Sequence, residues 1–256
     1  MDPRPPRQTV RKARIASHAA FEAALVHYPP GLSQPEHQHS FSQLSLLLAG
    51  SLAESVEGRT YEAGPGQMSI KPSGIVHADA YGPNGATFLA FNFRCEDTAR
   101  TASIGGDWHW RRATLNSGLC RLHLPVEGPD REEWLWDVLA AGETPVRNLE
   151  PPGWLRWARS RLDSADAVPD IASLAAHAGV HRVHFSRQFV RFFGLTPTAY
   201  RSRQMAGRAL RALVHDKAPP AAAALDAGFA DQSHMSRTIR ATFGTTPGRL
   251  ATLVAG

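Results

Sequence analysis

The sequence predicts an α+β, multidomain chain: an antiparallel β-barrel in the N-terminal half, followed by an all-α domain containing two helix-turn-helix units. Three observations support this. One phrase is written twice near the end of the 256 residues, as Phe185-Ser-Arg-Gln-Phe-Val-Arg-Phe-Phe-Gly-Leu-Thr-Pro197 and Met235-Ser-Arg-Thr-Ile-Arg-Ala-Thr-Phe-Gly-Thr-Thr-Pro247. A repeat at fixed period marks one supersecondary unit used twice. Between Phe21 and Phe93, short apolar runs alternate with Pro-Gly, Ala-Gly, Glu-Gly and Asn-Gly pairs, the punctuation of short antiparallel strands. Beyond Gly153 that pattern ends and helical periodicity replaces it.

The elements follow in order. Residues 1–14 are rich in Arg and Pro without periodicity and read as a disordered basic tail. Residues 15–143 form the barrel unit, with strands at 24–28, 44–48, 52–56, 67–70 and 86–93 and one or two more within 111–124. A trailing helix at 130–141 places Trp134, Leu135, Val138 and Leu139 on one face. Three prolines within 144–152 mark a linker. The helical domain, 153–256, starts with helices at 154–162 and 171–177, the second capped by Asp170. The next helix stops at Gly194, and a long one runs over 197–215. Helices at 219–227 and 231–243 repeat the pair, and a last one begins near Pro247.

Charge is divided between the halves. From Gly153 onward 14 Arg/Lys face 6 Asp/Glu, a net of +8, whereas residues 15–152 carry 9 and 16, a net of −7. A basic domain attracts polyanions by neutralising phosphates and releasing their counterions. The apolar runs are too short to cross a bilayer, and no apolar segment follows the basic N-terminus to make a signal peptide. Cys95 and Cys120 offer no disulfide framework, so a cytoplasmic protein is expected.

In the first repeat Phe185, Phe189, Phe192 and Phe193 share one helix face, and in the second Met235, Ile239, Thr242 and Phe243 do. These are core stripes. The opposite faces present Arg182, Ser186 and Arg187 in the first copy, and Gln232, Ser233, Ser236, Arg237 and Arg240 in the second. Arg pairs bidentately with guanine, Gln with adenine, and Ser with a base or a phosphate. Gly179 and Gly228 suit a turn at positive φ, and Asp231 suits a helix cap.

The segment Gly228-Phe-Ala-Asp-Gln-Ser-His-Met-Ser-Arg, followed by Phe-Gly-Thr-Thr-Pro, closely resembles the signature of AraC-type (AraC/XylS) transcription regulators. The resemblance covers about 100 residues, from Trp154 to the end. It implies two helix-turn-helix units joined by the long helix and inserted into successive major-groove segments of double-stranded DNA. By position, the base-reading residues it implies are Arg182, Val183, Ser186 and Arg187, then Gln232, Ser233, Ser236 and Arg237. His181 stands where the family often has a Ser cap, and Met205 where the linker helix usually has Arg. Ala223 replaces a larger aliphatic residue, and Gly207 weakens the linker helix by roughly 1 kcal/mol relative to Ala.

In the N-terminal half, His37 and His39 are two residues apart, and His77 follows a Pro-x-Gly turn. Three imidazoles converging in a barrel bind either a divalent metal with open positions or, by hydrogen bonds, a small effector. The two stretches, Gly31 to Gly50 and Gly66 to His77, resemble both cupin motifs. That resemblance implies a metal set of His37, His39, the Gln43 position and His77. Gln43 stands where metal cupins usually carry Glu, and Tyr81 where Asn is usual. Phe41, Phe91 and Phe93 are expected to line the same cavity.

Taken together, these residues predict an effector-controlled, sequence-specific regulator, with no catalytic residues and no required cofactor. Its expected partners are DNA, a small molecule, a second copy of itself and RNA polymerase, with no membrane. The alternative is a metal-dependent cupin enzyme with an accessory helical domain, against which the missing carboxylate at Gln43 counts.

Overall fold

Eight strands pair antiparallel in one folded sheet: β1 (Arg11–Ser17), β2 (Phe21–Tyr28), β3 (Ser33–His37), β4 (Ser42–Val56), β5 (Arg59–Ala63), β6 (Gln67–Lys71), β7 (His77–Phe93) and β8 (His109–Arg112). The computed structural model describes residues 9–17, 21–93, 109–112, 150–164, 169–243 and 245–255. The order is β1-β2-β7-β4-β6-β8, with β3 added on β7 and β5 on β4. The two long strands serve both halves of the fold. Ser42 to Gly50 of β4 pair with Phe93 to Ala86 of β7, and after a register shift Leu52 to Ser55 pair with Tyr81 to Ala78. Strands that bend at bulges and continue into a second layer are how one sheet closes over itself.

Alternation along the strands separates two interiors. Leu44, Leu46 and Leu48 of β4, Met68 and Ile70 of β6, and Leu89, Phe91 and Phe93 of β7 join one hydrophobic core. The intervening residues, Gln43, Ser45, Ser69, Lys71, Phe88 and Ala90, line a cavity instead. Nearly every residue of β4 and β7 in this stretch is therefore buried.

Several expectations are corrected here. The disordered tail of 1–14 does not extend that far, because residues 11–14 open β1, pairing with His27 to Ala24. Ala13 is buried there while Arg14 is exposed, and such short alternation at a basic sheet edge resembles a tail in composition. The runs 44–48 and 52–56 are one strand, and the last long strand begins at His77 rather than at 86. β3 and β5 were not anticipated. The helix expected at 130–141, the strands beyond 112 and most of the linker lie outside the described residues.

The helical domain contains α1 (Gly153–Asp163), α2 (Ile171–His177), α3 (Arg182–Phe193), α4 (Pro197–Val214), α5 (Pro220–Asp226), α6 (Gln232–Phe243) and α7 (Pro247–Ala255). Several of these starts carry a side-chain cap. Asp170 accepts from the Ser173 amide at 3.2 Å, Thr196 from Ala199 at 3.1 Å, and Asp231 from His234 at 2.6 Å. His181 performs the same task with Nδ1, accepting from the Val183 amide at 3.3 Å, so the Ser cap is replaced and the cap retained. Gly179 and Gly228 hold φ at 67° and 88° in the two turns, a region costly to residues with a Cβ.

The first unit has its own core around Phe185, Phe189, Phe193 and Tyr200. The second does not: Ala223, Phe229, Met235, Ile239 and Phe243 are continuous with the sheet's core through Met205, Ala206, Ala209 and Leu210 of α4. Met205 and Ala223, departures from the family pattern, are both buried in this shared core.

His27 of β2 and His215, the C-cap of α4, meet across that junction with their rings tilted and centroids 5.0 Å apart. Burial lowers the His27 pKa to about 3, helped by the charges of His215 and Arg11. The unfolded chain therefore takes up a proton near pH 6.5 that the folded chain refuses until about pH 3. Stability is accordingly full above pH 6.5 and falls below it by roughly 1.4 kcal/mol per pH unit from this group. Chemical denaturation between pH 7 and 4 is expected to show this slope, and His27→Gln to flatten it. An unchanged slope in the variant would assign the acid sensitivity elsewhere.

Candidate nucleic-acid interface and barrel cavity

α3 and α6 carry the repeated phrase, and their exposure repeats with it. Arg182, Val183 and Arg187 are exposed with Ser186 half-buried, and Gln232, Ser233 and Arg237 are exposed with Ser236 half-buried. Arg240, one turn further along α6, is also exposed. Val183 keeps half of its surface in solvent, at 50%; an apolar side chain there suits a thymine methyl. The core stripes are buried as expected, apart from Thr242, which is half-buried. Each helix thus offers a polar strip at its N-terminal end, just beyond a side-chain cap.

The second site is a cavity of about 90 Å³ between the two halves of the folded sheet, reached by His37, His39, Gln43 and Tyr81 among others. His37 pairs with His77 across β3 and β7. Their rings lie 4.2 Å apart, and His39 lies 5.1 and 5.2 Å from the two. The three histidines converge, although His39 sits in the turn after β3 rather than on the strand. Gln43 donates to Asn92 Oδ1 at 2.9 Å. Phe91 and Phe93 do not line the cavity: strand alternation turns them into the core on the other face. Phe41 stacks on His39, and the cavity's aromatic wall is made by Tyr28, Tyr81 and Phe88.

Beneath the histidines lies a charged floor that sequence reading missed. Lys71, at the end of β6, donates to Glu54 Oε1 at 2.8 Å and to His77 Nε2 at 3.3 Å. All three side chains are buried. Burial pushes Glu54 up to about 7, against the pull of Lys71. Lys71 stays charged, because Glu54 and Asp79 raise its pKa against the cost of burial. Burial and that ammonium lower His77 to about 4, so the ring is neutral at pH 7. Its Nδ1 donates to the Ile75 carbonyl at 3.1 Å, which leaves the Nε2 lone pair for Lys71. Tyr81 donates its phenolic hydrogen to Gln34 Oε1 at 2.9 Å or Asp79 Oδ2 at 3.2 Å. Asp79 Oδ1 and Ser69 Oγ are buried with no hydrogen-bond partner. The signal available in the sequence was the polar face Ser69, Lys71 of a strand whose other face is Met68, Ile70.

One ligating nitrogen from each of His37, His39 and His77 lies within 4.8 Å of the others, a donor set suited to a divalent ion. The floor does not suit one. The His77 lone pair an ion needs is already engaged by an ammonium. Two unit charges about 4 Å apart repel by about 4 kcal/mol at an effective dielectric of 20, and a divalent ion doubles this.

A paired helix-turn-helix domain behind a folded antiparallel sheet with a His-lined cavity defines a DNA-binding regulator with a small β-domain. Comparison with known proteins agrees. Residues 174–252 match the model of a helix-turn-helix domain of AraC type, and residues 24–79 that of a cupin domain. The chain thus combines a C-terminal helix-turn-helix domain of AraC type with an N-terminal cupin domain. No curated protein matches it. Among solved structures it is similar to KdgF from Halomonas sp., at 21% identity over 35% of this chain and 83% of that one, with a TM-score of 0.31. It is also similar to the Cnp3 cupin domain of Schizosaccharomyces pombe, at 18% identity over 40% and 75% of the two chains, with a TM-score of 0.32. Among the described residues, no helix is long and apolar enough to cross a membrane.

Proposed function

We propose that the protein is a sequence-specific transcription regulator that reads two successive major-groove segments with α3 and α6 and is controlled by a small molecule in the cupin cavity. The observation that carries the first part is the matched exposure of Arg182, Val183, Ser186, Arg187 and of Gln232, Ser233, Ser236, Arg237 on two copies of one motif. A solvated surface helix needs no such repetition. The net charge of +8 beyond residue 152 supports a phosphate-bearing partner.

Selection of binding sites from random duplexes, followed by footprinting, tests the reading. Each monomer is expected to protect two segments about one helical turn apart. Arg187→Ala and Arg237→Ala are each expected to cost about 1–3 kcal/mol and to relax specificity at separate positions. A uniform loss on every sequence assigns these arginines to phosphates instead.

Control by an effector is supported by the cavity's polar lining and its size. The cavity, about 90 Å³, is smaller than the roughly 150 Å³ cavity that holds benzene, so a small portion of an effector is expected to enter it. An effector acts only by binding two states with different affinity. β4 offers the connection: Gln43, Ser45 and Leu52 line the cavity, and the Gly50 carbonyl on the same strand accepts from Gln204 of α4. A cytoplasmic homodimer gains affinity by joining half-sites.

A further inference from the structure

We propose that Lys71 is the resident cation of the barrel, its ammonium taking the place in which the converging imidazoles of His37, His39 and His77 would otherwise hold a divalent ion. The inference concerns the cupin floor alone and stands whether or not an effector binds.

Three observations point the same way. First, Lys71 Nζ is bonded to the two kinds of group that attract a metal, a carboxylate oxygen of Glu54 at 2.8 Å and an imidazole nitrogen of His77 at 3.3 Å. Second, the His77 tautomer is the one a metal would select, with Nδ1 donating to the Ile75 carbonyl and Nε2 left as the acceptor. Third, Glu54, His77 and Asp79 bring three ligand atoms within 4.8 Å of one another, sharing His77 with the three-histidine set. The two sets meet at His77, and Lys71 is the cationic side chain bonded there, to His77 itself and to Glu54 beside it. An internal ammonium satisfies the same electrostatic demand as an ion and does not dissociate.

The consequence is a gain of function on removing a charge. The probe is cobalt(II), whose visible absorption reports imidazole ligation, titrated into full-length protein stripped with chelator. The wild-type protein is expected to take up no stoichiometric cobalt. Lys71→Met combined with Glu54→Gln removes both members of the buried pair and frees His77 Nε2. It is expected to bind one equivalent at least a hundredfold more tightly than wild type, and adding His37→Ala is expected to abolish that binding. Circular dichroism establishes which variants fold; if the double variant does not, Lys71→Met alone is titrated. Wild-type protein that binds one equivalent of cobalt, lost in His77→Ala, overturns the proposal without recourse to any Lys71 variant. So does a folded Lys71 variant that binds no more tightly than wild type.

Discussion

Asp163→Ala is expected to destabilise the folded protein by about 3–5 kcal/mol, the range for breaking a buried ion pair by deleting one partner. Asp163 is the last residue of α1, and its side chain is 16% exposed. A carboxylate there faces the negative end of the helix dipole, so nothing local favours it. Its partners are tertiary. Tyr200 donates to Oδ1 at 2.7 Å and Gln204 to the same oxygen at 2.5 Å, while Arg159 Nε lies 3.4 Å from Oδ2. Arg159 also reaches the Glu62 carbonyl at 3.4 Å, Gln204 the Gly50 carbonyl at 3.0 Å, and Asn84 donates to the Asp163 carbonyl at 3.1 Å. The cluster joins α1 and α4 to the sheet.

Burial raises the Asp163 carboxyl, with Arg159, Tyr200 and Gln204 opposing. The charge is thus tolerated rather than favoured at this position. Deletion costs so much because of what remains: a buried guanidinium without its carboxylate, and two donors without their acceptor. Asp163→Asn keeps one acceptor oxygen and is expected to lose roughly half as much as the alanine variant. Urea unfolding of the three proteins measures both. A loss below about 1 kcal/mol for Asp163→Ala would mean that water or a shift of α1 satisfies the orphaned groups.

The same comparison explains what was legible in the sequence. The helical domain could be read almost to the residue because its boundaries are local chemistry: Asp170 before Ile171, Thr196 before Pro197, Gly194 after Phe193. The barrel was less legible because its boundaries are not local. Pro83-Asn84-Gly85 reads as a turn, yet those residues lie within β7 where the strand passes from one half of the sheet to the other. Gly50 and Ser51 likewise look like an ending and fall within β4. The His triad was visible because three residues of one uncommon type sit near turn signals. Its floor was not. Lys71 and Glu54 alternate with apolar neighbours as a solvated face does, and only the closure of the sheet turns that face inward. The relation between domains was equally hidden. Gly207 appears as a weak point in a helix, with nothing in the sequence to say what lies against it.

What lies against it is β4. An ideal Cβ at Gly207 would stand 3.1 Å from Ala49 Cβ and 3.4 Å from the Gly50 nitrogen. One of these neighbours is backbone, and Gly50 is also the residue whose carbonyl holds Gln204. Gly207→Leu therefore sets two effects against each other. The helix gains about 1 kcal/mol, because Leu has a far better helix propensity than Gly. The interface loses more: inserting a large side chain into a packed core costs about 1–3 kcal/mol, and the upper end applies where backbone must yield. The net expectation is a loss of about 2 kcal/mol, concentrated in the docking of α4 on the sheet. Calorimetry distinguishes this from general destabilisation. The second helix-turn-helix unit shares one core with the sheet, so the wild-type protein is expected to unfold in one transition. Gly207→Leu is expected to resolve two, with the helical domain still binding DNA. A single transition at higher temperature would mean that the propensity gain wins and that β4 gives way at little cost. The close approach of α4 to β4 would then carry no weight in holding the halves together.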